Sequence, residues 1–354
     1  MRFDLDRIVR ENIKHLTPYS SARSETDGTG CVLLDANENS FGSPLGGELH
    51  RYPDPYQLEI KKRIAVMNNV DPSEIFVGNG SDEAIDLLFR IFCRPARDNV
   101  MICPPTYGMY EVSAAINNIE VRRASLTKDF QLDVGAVKKR EDENTKLAFV
   151  CSPNNPTGNC IDREKILNLV ENFHGIVVVD EAYIHFSDSR SLVSEIKTFP
   201  NLVVIQTFSK AWGLAGLRIG LAFAHQEIIA YFNKVKPPYN VSRAAQELLL
   251  SALTDRSSLN EGISKTIEQR EHLKRSMLDL SFVKIIYPSD ANFLLVRCED
   301  PVETRAFLLD RNIVVRDRST VELCEGCLRI TVGTPEENDA LIDALKEYEE
   351  SIVH

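Results

Sequence analysis

The sequence lacks the features typical of membrane, secreted and nucleic-acid-binding proteins. No apolar run approaches the ~20 residues that a membrane-spanning helix needs. The residues from Met1 to Arg7 include two aspartates where a signal peptide would have an apolar stretch. Positive charge is not in excess, because 41 Lys and Arg are opposed by 52 Asp and Glu, and the net charge of −11 disfavours nucleic acid and anionic lipid as partners. We therefore expect a cytoplasmic protein that binds neither nucleic acid nor membranes.

Cysteine spacing is typical of a metal or redox motif at only one point. Of the eight cysteines, Cys324 and Cys327 have C-x-x-C spacing, and no second pair accompanies them as a structural zinc site would require. The two residues could be ordinary reduced thiols beside a strand, or they could take part in redox or metal chemistry. We expect the former and predict no metal site.

The central part of the chain alternates between two kinds of segment. The length of 354 residues suggests one large or two medium domains. Short runs rich in β-branched residues predict strands buried on both faces, as in a parallel sheet, at 75–77, 100–102, 147–150, 176–179 and 202–205. Amphipathic segments between them predict helices at 82–92, 107–116 and 163–173. This alternation predicts an α/β domain with helices on both sides of the sheet.

The two ends of the chain differ from this centre. The C-terminal part predicts a smaller α+β domain, with strands at 283–286, 293–296, 313–315 and 328–331 and helices at 260–280, 302–310 and 335–353. The first ~45 residues show no clear periodicity and predict an extended arm. We therefore divide the chain into an N-terminal arm that joins the small domain (1–47), a large domain (48–245) and a small C-terminal domain (246–354).

Residues that could carry chemistry follow the predicted strands, at the edge of the sheet where ligands bind in such folds. The segment 78–83 opens a helix whose free N–H groups favour a phosphate, but its sixth residue is Glu, which breaks the G-x-G-x-x-G pattern. Ser81 or Asp82 could instead be a simple helix cap. Asp180 ends a buried strand and could be a capping residue or a desolvated functional carboxylate. Lys210 could be a surface charge or a nucleophilic amine with a lowered pKa.

These loops should converge on one cleft, where their groups match the needs of pyridoxal phosphate (PLP). This cofactor requires a lysine for its aldehyde, an acid for its ring nitrogen and a cradle for its phosphate. The order and spacing of three motifs also resemble the fold-type I aminotransferases, namely Asn154-Asn155-Pro156-Thr157-Gly158, Asp180-Glu181-Ala182-Tyr183, and Ser209-Lys210 with Arg218 eight residues on. The resemblance implies a large domain with a mostly parallel seven-stranded sheet between helices, a smaller α+β domain, and a homodimer.

Motifs along almost the whole chain narrow the resemblance to the histidinol-phosphate aminotransferase family. They are Leu16-Thr17-Pro18-Tyr19, Leu34-Asp35-Ala36-Asn37-Glu38-Asn39, Arg51-Tyr52-Pro53-Asp54, Gly78-Asn79-Gly80-Ser81-Asp82, Val315-Arg316-Asp317 and Leu328-Arg329-Ile330-Thr331-Val332-Gly333-Thr334. The resemblance implies transfer of an amino group between L-histidinol phosphate and 2-oxoglutarate in histidine biosynthesis, by a ping-pong mechanism. The alternatives are an aromatic or broad-range aminotransferase, a threonine-phosphate decarboxylase, and a non-catalytic PLP-binding regulator.

The resemblance also implies roles for individual residues. The expected cofactor-binding residues are Tyr52, Gly80, Ser81, Asp82, Tyr107, Asn155, Asp180, Tyr183, Thr207, Ser209, Lys210 and Arg218. Of these, Lys210, Asp180 and Tyr183 are the expected catalytic residues, and Tyr52 is expected to reach the cofactor phosphate of the partner subunit. The expected substrate-binding residues are Tyr19, Asn37, Arg316 and Arg329. On position alone, either arginine could instead be a solvated surface charge.

Overall fold

Two separate β-sheets organise the protein. The computed structural model describes residues 3–25 and 31–353. The larger sheet has seven strands, which are β1 (Ile75–Asn79), β2 (Asn99–Ile102), β3 (Glu120–Arg123), β4 (Thr145–Cys151), β5 (Ile176–Asp180), β6 (Leu202–Thr207) and β7 (Ile219–Ala224). The smaller sheet has four, which are β8 (Val283–Ile286), β9 (Phe293–Cys298), β10 (Arg316–Asp317) and β11 (Cys327–Thr331).

The larger sheet is mostly parallel, as the sequence predicts. Its strand order is β1-β7-β6-β5-β4-β2-β3. The strands from β6 to β3 run parallel to their neighbours, whereas β7 is antiparallel to both β1 and β6. Alternate side chains enter two different cores, so that Ile75 and Val77 lie in one apolar cluster and Phe76 lies in the other. Because both faces are buried, these strands have continuous apolar sequences rather than alternating ones.

Helices cover both faces of the larger sheet, and other helices pack against the smaller one. The described residues contain the α-helices α1 (Leu5–Ile8), α2 (Glu11–Lys14), α3 (Ala22–Glu25), α4 (Leu58–Asn68), α5 (Gly80–Phe92), α6 (Met109–Ile116), α7 (Val134–Arg140), α8 (Arg163–Asn172), α9 (Gln226–Val235), α10 (Arg243–Ala252), α11 (Arg256–Met277), α12 (Pro301–Asp310) and α13 (Pro335–Val353). Short 3-10 helices cover Pro72–Glu74, Ile184–Phe186, Leu192–Glu195 and Ala215–Leu217. Within the part of the chain that the structure describes, no helix is long and apolar enough to cross a membrane.

The beginning of the chain packs against the larger sheet's helices. Ile8, Val9 and Ile13 are buried in the same apolar cluster as side chains of α5 and α9. The N–H of Arg10 donates to the carbonyl of Ile91 over 3.0 Å. These contacts differ from the expected junction of the arm with the small domain, because α1 and α2 present apolar side chains that the surface of α5 and α9 can bury.

Both sheets differ in detail from the sequence predictions. The predicted strand at 313–315 is absent, and a two-residue strand follows at Arg316–Asp317, which pairs with β11. Two strands were not predicted, namely β3, whose sequence is Glu-Val-Arg-Arg, and β7, whose sequence is half glycine and alanine. Neither has the run of large β-branched residues from which strands are inferred.

Candidate active site

A cavity of about 600 Å³ lies at the carboxyl ends of the parallel strands, and both sheets contribute residues to it. Its lining includes the predicted site residues Gly80, Ser81, Asp82, Tyr107, Asn155, Asp180, Tyr183, Thr207, Ser209, Lys210, Arg218, Arg316 and Arg329. The strands β1, β4, β5 and β6 end beside this cavity, as ligand-binding edges of such sheets do. The cavity therefore gathers loops that are far apart in the sequence.

One part of the cavity is suited to an anion. Helix α5 begins there, so its first free N–H groups and its dipole favour negative charge. Gly80 has a left-handed φ of +71°, and a Cβ at this position would lie 2.8 Å from Nη2 of Arg218. Arg218 donates from Nη1 to Oγ of Ser209 over 3.4 Å, and its Nη2 lies 3.4 Å from the Asp82 carboxylate. These groups together form a cradle that fits a phosphate.

A neighbouring strand fixes the position of this helix start. The N–H of Gly80 donates to the carbonyl of Arg218 over 2.7 Å, directly before β7. Gly220 on β7 lies so close to the start of α5 that a Cβ there would overlap the backbone nitrogen of Ser81. The shape of the cradle therefore depends on a glycine in β7.

Asp180 is a buried carboxylate, and its hydrogen bonds offset only part of the cost that burial imposes on its ionised form. It is 3% exposed, at the end of β5. The hydroxyl of Tyr110 donates to its Oδ2 over 2.7 Å, and the N–H of Ala182 donates to its Oδ1 over 3.0 Å. Burial raises the pKa of Asp180 to about 6, although these two hydrogen bonds act in the opposite direction. The site therefore favours a cationic group beside this carboxylate, which would restore its ionised form.

The adjacent carboxylate, Glu181, belongs to a different environment. It is also buried, but it accepts hydrogen bonds from the hydroxyl of Ser191 (2.5 Å), the N–H of Leu192 (2.7 Å) and the side-chain amide of Gln206 (2.9 Å). Its side chain does not line the cavity. Glu181 therefore ties the loop that begins at Ser191 to the sheet, and Asp180 is the carboxylate that lines the cavity.

Lys210 lies in the loop after β6 and is accessible to solvent through the cleft. The surrounding walls still remove enough water to lower the pKa of Lys210, and the charge of Arg329 lowers it further. Its Nζ lies 5.6 Å from the centre of the Tyr183 ring. The lysine is thus an accessible amine with a lowered pKa, which is the condition for a nucleophile.

Asn155 connects the cofactor side of the cavity to the arginine on the smaller sheet. It is 9% exposed, and its Oδ1 accepts from Nη1 of Arg329 over 2.6 Å. Its Nδ2 lies 3.4 Å from the hydroxyl of Tyr183. Burial lowers the pKa of Arg329, and the charge of the nearby Arg318 lowers it further.

Across the cavity, the hydroxyl of Tyr107 donates to Oδ1 of Asp82 over 3.2 Å.

Three of the predicted site residues do not reach the cavity of this protomer. Tyr19 is 78% exposed, and Asn37 is exposed with a φ of +54°. Tyr52 is 47% exposed and stacks on Tyr239, with ring centres 4.4 Å apart. All three lie in the segment before α4, whose described residues (3–25 and 31–57) do not line the cavity.

Two residues at the site were missed by the sequence analysis. Tyr110 is fully buried and bonds Asp180, but in the sequence it is only one apolar position of a predicted helix. Arg318 lines the cavity together with Arg316 and Arg329. The signal that could have identified Arg318 is its spacing, because residues two apart on a strand face the same side.

The chain is similar to known proteins over almost its full length. The family described as "Aminotransferase class I and II" matches residues 29–345. The histidinol-phosphate aminotransferase of Cytophaga hutchinsonii is 50% identical over 98% of this chain and 100% of the relative. That of Parabacteroides distasonis is 50% identical over 97% of this chain and 98% of the relative.

Solved structures show the same fold. The histidinol-phosphate aminotransferase from Clostridium acetobutylicum has a TM-score of 0.79 at 25% identity, covering 86% of this chain and 92% of that chain. The enzyme of the same name from Sinorhizobium meliloti, in complex with pyridoxal-5'-phosphate, has a TM-score of 0.78 at 24% identity and covers 97% of both chains. With a family match over 29–345 and relatives at 50% identity, this chain belongs to the class I and II aminotransferases.

Proposed function

We propose that this protein is a PLP-dependent aminotransferase that interconverts L-histidinol phosphate and 2-oxoglutarate with imidazole acetol phosphate and L-glutamate. The observation that carries the proposal is one cavity in which Lys210, Asp180 and the cradle at Arg218 face the arginines of the smaller sheet. The names of the relatives at 50% identity support the same reaction. The reaction belongs to histidine biosynthesis.

The residues of the cavity fit PLP. The cradle around Ser81 and Arg218 would hold the phosphate, with Thr207 and Ser209 as further hydroxyl donors. Asp180 would face the ring nitrogen, since burial raises the pKa of this carboxyl and a cation directly beside it would restore the ionised form. When bound, PLP supplies an aldehyde that bonds to amines and a ring that accepts electrons from the substrate Cα.

The chain's own groups would then carry out the proton movements. Lys210 holds the proton that leaves the substrate Cα, and its lowered pKa keeps a fraction of the amine neutral for this purpose. Asp180 would hold a proton on the ring nitrogen when the cofactor is bound. The side chains of Asn155 and Tyr183 are placed to bind the ring oxygen, and Tyr107 is placed to cover the ring face. Arg329, which Asn155 orients, binds the anionic group of either substrate.

Substrate choice depends on the anion that the reacting carbon carries. Histidinol phosphate has a phosphomethyl group there, whereas glutamate has a carboxylate. Arg316 and Arg329 would bind either anion, because a guanidinium forms paired charge-assisted hydrogen bonds. Tyr19 and Asn37 would complete the subsite after movement of the N-terminal segment or from a second subunit.

The exposed N-terminal segment supports a homodimer. Glu38 orders this segment by accepting hydrogen bonds from Arg23, Arg51 and the N–H of Tyr52, at 2.6 to 2.8 Å. The segment nevertheless presents large apolar side chains to solvent, with exposures of 82–101% at Val32, Leu34, Phe41 and Leu45. An ordered apolar surface of this kind is typical of a subunit interface. A second copy that buried it would also bring Tyr52 towards the partner's cradle.

The chain division that we propose follows the two sheets. The larger sheet with its helices forms the PLP-binding domain, within 48–245, and the smaller sheet lies in the C-terminal domain, 246–354. Residues 1–47 form the arm, of which the first part packs on the large domain.

A panel of amino donors tests the proposed reaction. The PLP-loaded protein is mixed with L-histidinol phosphate, L-histidinol, L-phenylalanine or O-phospho-L-threonine, and the visible absorbance of the cofactor is followed. Hydrogen bonds to a charged group are worth roughly 1.5–3 kcal/mol each, so the loss of two or more of them should give histidinol a kcat/KM at least ~10²-fold below that of histidinol phosphate. Equal rates with phenylalanine would indicate a broad-range aminotransferase, and release of carbon dioxide from phosphothreonine would indicate a decarboxylase. Glutamate turnover would exclude a non-catalytic regulator.

A further inference from the structure

The smaller sheet places three arginines on one wall of the cavity. In the antiparallel ladder, Arg316 on β10 lies directly opposite Arg329 on β11. The N–H of Arg318 donates to the carbonyl of Cys327 over 2.8 Å, so the ladder continues one pair further. Residues two apart on a strand share a face, and diagonal neighbours lie within reach of long side chains. Arg318 is therefore the diagonal neighbour of Arg329 on the face that carries Arg316.

The three guanidinium groups are not neutralised by acidic partners. In residues 3–25 and 31–353, none of the three has a carboxylate within 4.0 Å, whereas Arg218 in the same cavity is paired with Asp82. The side-chain hydrogen bond of Arg318 is to the backbone carbonyl of Asp317, over 3.2 Å. All three side chains line the cavity. The wall is thus a concentration of positive charge that opens on the substrate space.

The like charges act on one another. Partial burial lowers the pKa of Arg318, and the charge of Arg316 lowers it further. Arg318 is also the charged neighbour with the largest effect on Arg329, whose pKa it lowers. Repulsion of this kind is relieved when an anion binds between the cations. The relief is greater for a dianion than for a monoanion.

The number of arginines exceeds what a carboxylate can use. A carboxylate offers two oxygens, and one forked guanidinium together with a second arginine can bind both. A phosphate monoester offers three terminal oxygens and nearly two charges at neutral pH. A third arginine beside the first two therefore matches a phosphate and has less to bind in glutamate.

We propose that Arg318 is a third phosphate-binding arginine, which sets the preference of the site for a phosphorylated amino donor over glutamate. This inference rests on the proposed function, because it takes histidinol phosphate as the donor. It assigns Arg318 to substrate selection, in addition to the substrate-binding residues Tyr19, Asn37, Arg316 and Arg329 that the sequence predicts.

The test compares two half-reactions in three variants. Arg318→Met removes the charged guanidinium and keeps an unbranched apolar stem. Arg318→Lys keeps a charge without the fork, and Arg275→Met is a matched control on the exposed surface of α11. For Arg318→Met, we expect kcat/KM for histidinol phosphate to fall roughly ten- to a hundredfold. The value for glutamate should fall less than about threefold by the same reasoning. Arg318→Lys should recover part of the loss, and Arg275→Met should match the wild type.

A binding measurement separates recognition of phosphate from catalysis. The analogue 3-(imidazol-4-yl)propyl phosphate lacks the amine, so it cannot react, and its Kd can be measured by calorimetry on the PLP-loaded protein. The Kd should rise by a similar factor in Arg318→Met and stay unchanged in Arg275→Met. Equal losses for glutamate and histidinol phosphate, or an unchanged Kd, would overturn the assignment of Arg318. If the wild-type protein does not use histidinol phosphate at all, the proposed function itself fails, and the two results are distinguishable.

Discussion

Replacement of Asp180 by asparagine should stabilise the cofactor-free protein while it impairs the enzyme. Burial raises the pKa of Asp180 from 3.8 to about 6, so the folded protein binds this proton more tightly than the unfolded chain does. The residue therefore favours folding below about pH 4, and this contribution is lost as the pH rises through 6. Two pKa units at ~1.4 kcal/mol each give a cost of roughly 3 kcal/mol for ionising the buried carboxylate at pH 8. Asparagine has a similar shape and no charge to bury.

Urea unfolding of the cofactor-free proteins measures this difference. Asp180→Asn should be more stable than the wild type by about 3 kcal/mol at pH 8, and by only about 1 kcal/mol near pH 4.5, where the wild-type carboxylate is mostly protonated. Glu181→Gln is the matched comparison, because Glu181 is equally buried but accepts three hydrogen bonds. Burial raises the pKa of Glu181 as well, but an amide oxygen cannot accept all three hydrogen bonds, so Glu181→Gln should gain less stability at pH 8 than Asp180→Asn does.

Addition of PLP should reverse the order of stability, so that the wild type becomes more stable than Asp180→Asn. The cationic ring nitrogen compensates the carboxylate, so the wild type gains more stability from the cofactor than the variant does. The variant should retain PLP through the cradle but transaminate more slowly by orders of magnitude. The reasoning is refuted if cofactor-free Asp180→Asn is less stable than the wild type at pH 8, or if its advantage is independent of pH.

Three further variants test other parts of the site. Lys210→Ala should lose the visible absorbance of the lysine-bound cofactor and nearly all transamination, and full activity would show that another lysine is the nucleophile. Tyr110→Phe removes the 2.7 Å hydrogen bond to the Asp180 carboxylate. Because this bond favours the ionised form, the acid limb of the pH profile of kcat/KM should move to higher pH by about 1–2 units. An unchanged profile would contradict the role of Tyr110. Mixing inactive Tyr52→Ala with inactive Lys210→Ala should restore activity through heterodimers with one intact site, whereas full activity in a dilute monomer would argue against a shared site.

The parallel sheet could be predicted from the sequence because its strands are buried on both faces. Runs such as Ile176–Val179 need apolar β-branched side chains on every residue, and this leaves a clear local signal. The strand β3 has no such signal, because it is an edge strand of mostly charged residues that are partly exposed. The strand β7 lies in the centre of the sheet, but its small residues are set by close contact with the start of α5, which no local pattern reveals.

Residue types at the strand ends predicted where the site lies, but they did not distinguish the roles of neighbouring side chains. Asp180 and Glu181 are adjacent, and both carry a carboxyl group. No property of the two residues in the sequence distinguishes them, and only the resemblance to a known family identified Asp180 as the site residue. The donors around Glu181 come from Ser191, Leu192 and Gln206, which lie 10 to 25 residues away in the sequence. Tyr110 was missed for the same reason, since its partner Asp180 lies 70 residues away in the sequence and is brought to it by the fold.

The position of β7 has a consequence for the order in which the protein can be made. In the larger sheet, β1 has β7 as its neighbour, and β7 alone connects it to β6. A nascent chain that has emerged from the ribosome only as far as Arg218 already contains β1, α5 and the lysine loop, but it lacks the strand that pairs with both β1 and β6. The phosphate cradle cannot take its final shape until the next six residues, Ile219–Ala224, have been added and inserted. Retention of cofactor by ribosome-bound chains of increasing length would therefore begin abruptly once these residues have left the exit tunnel, and it would mark completion of the sheet.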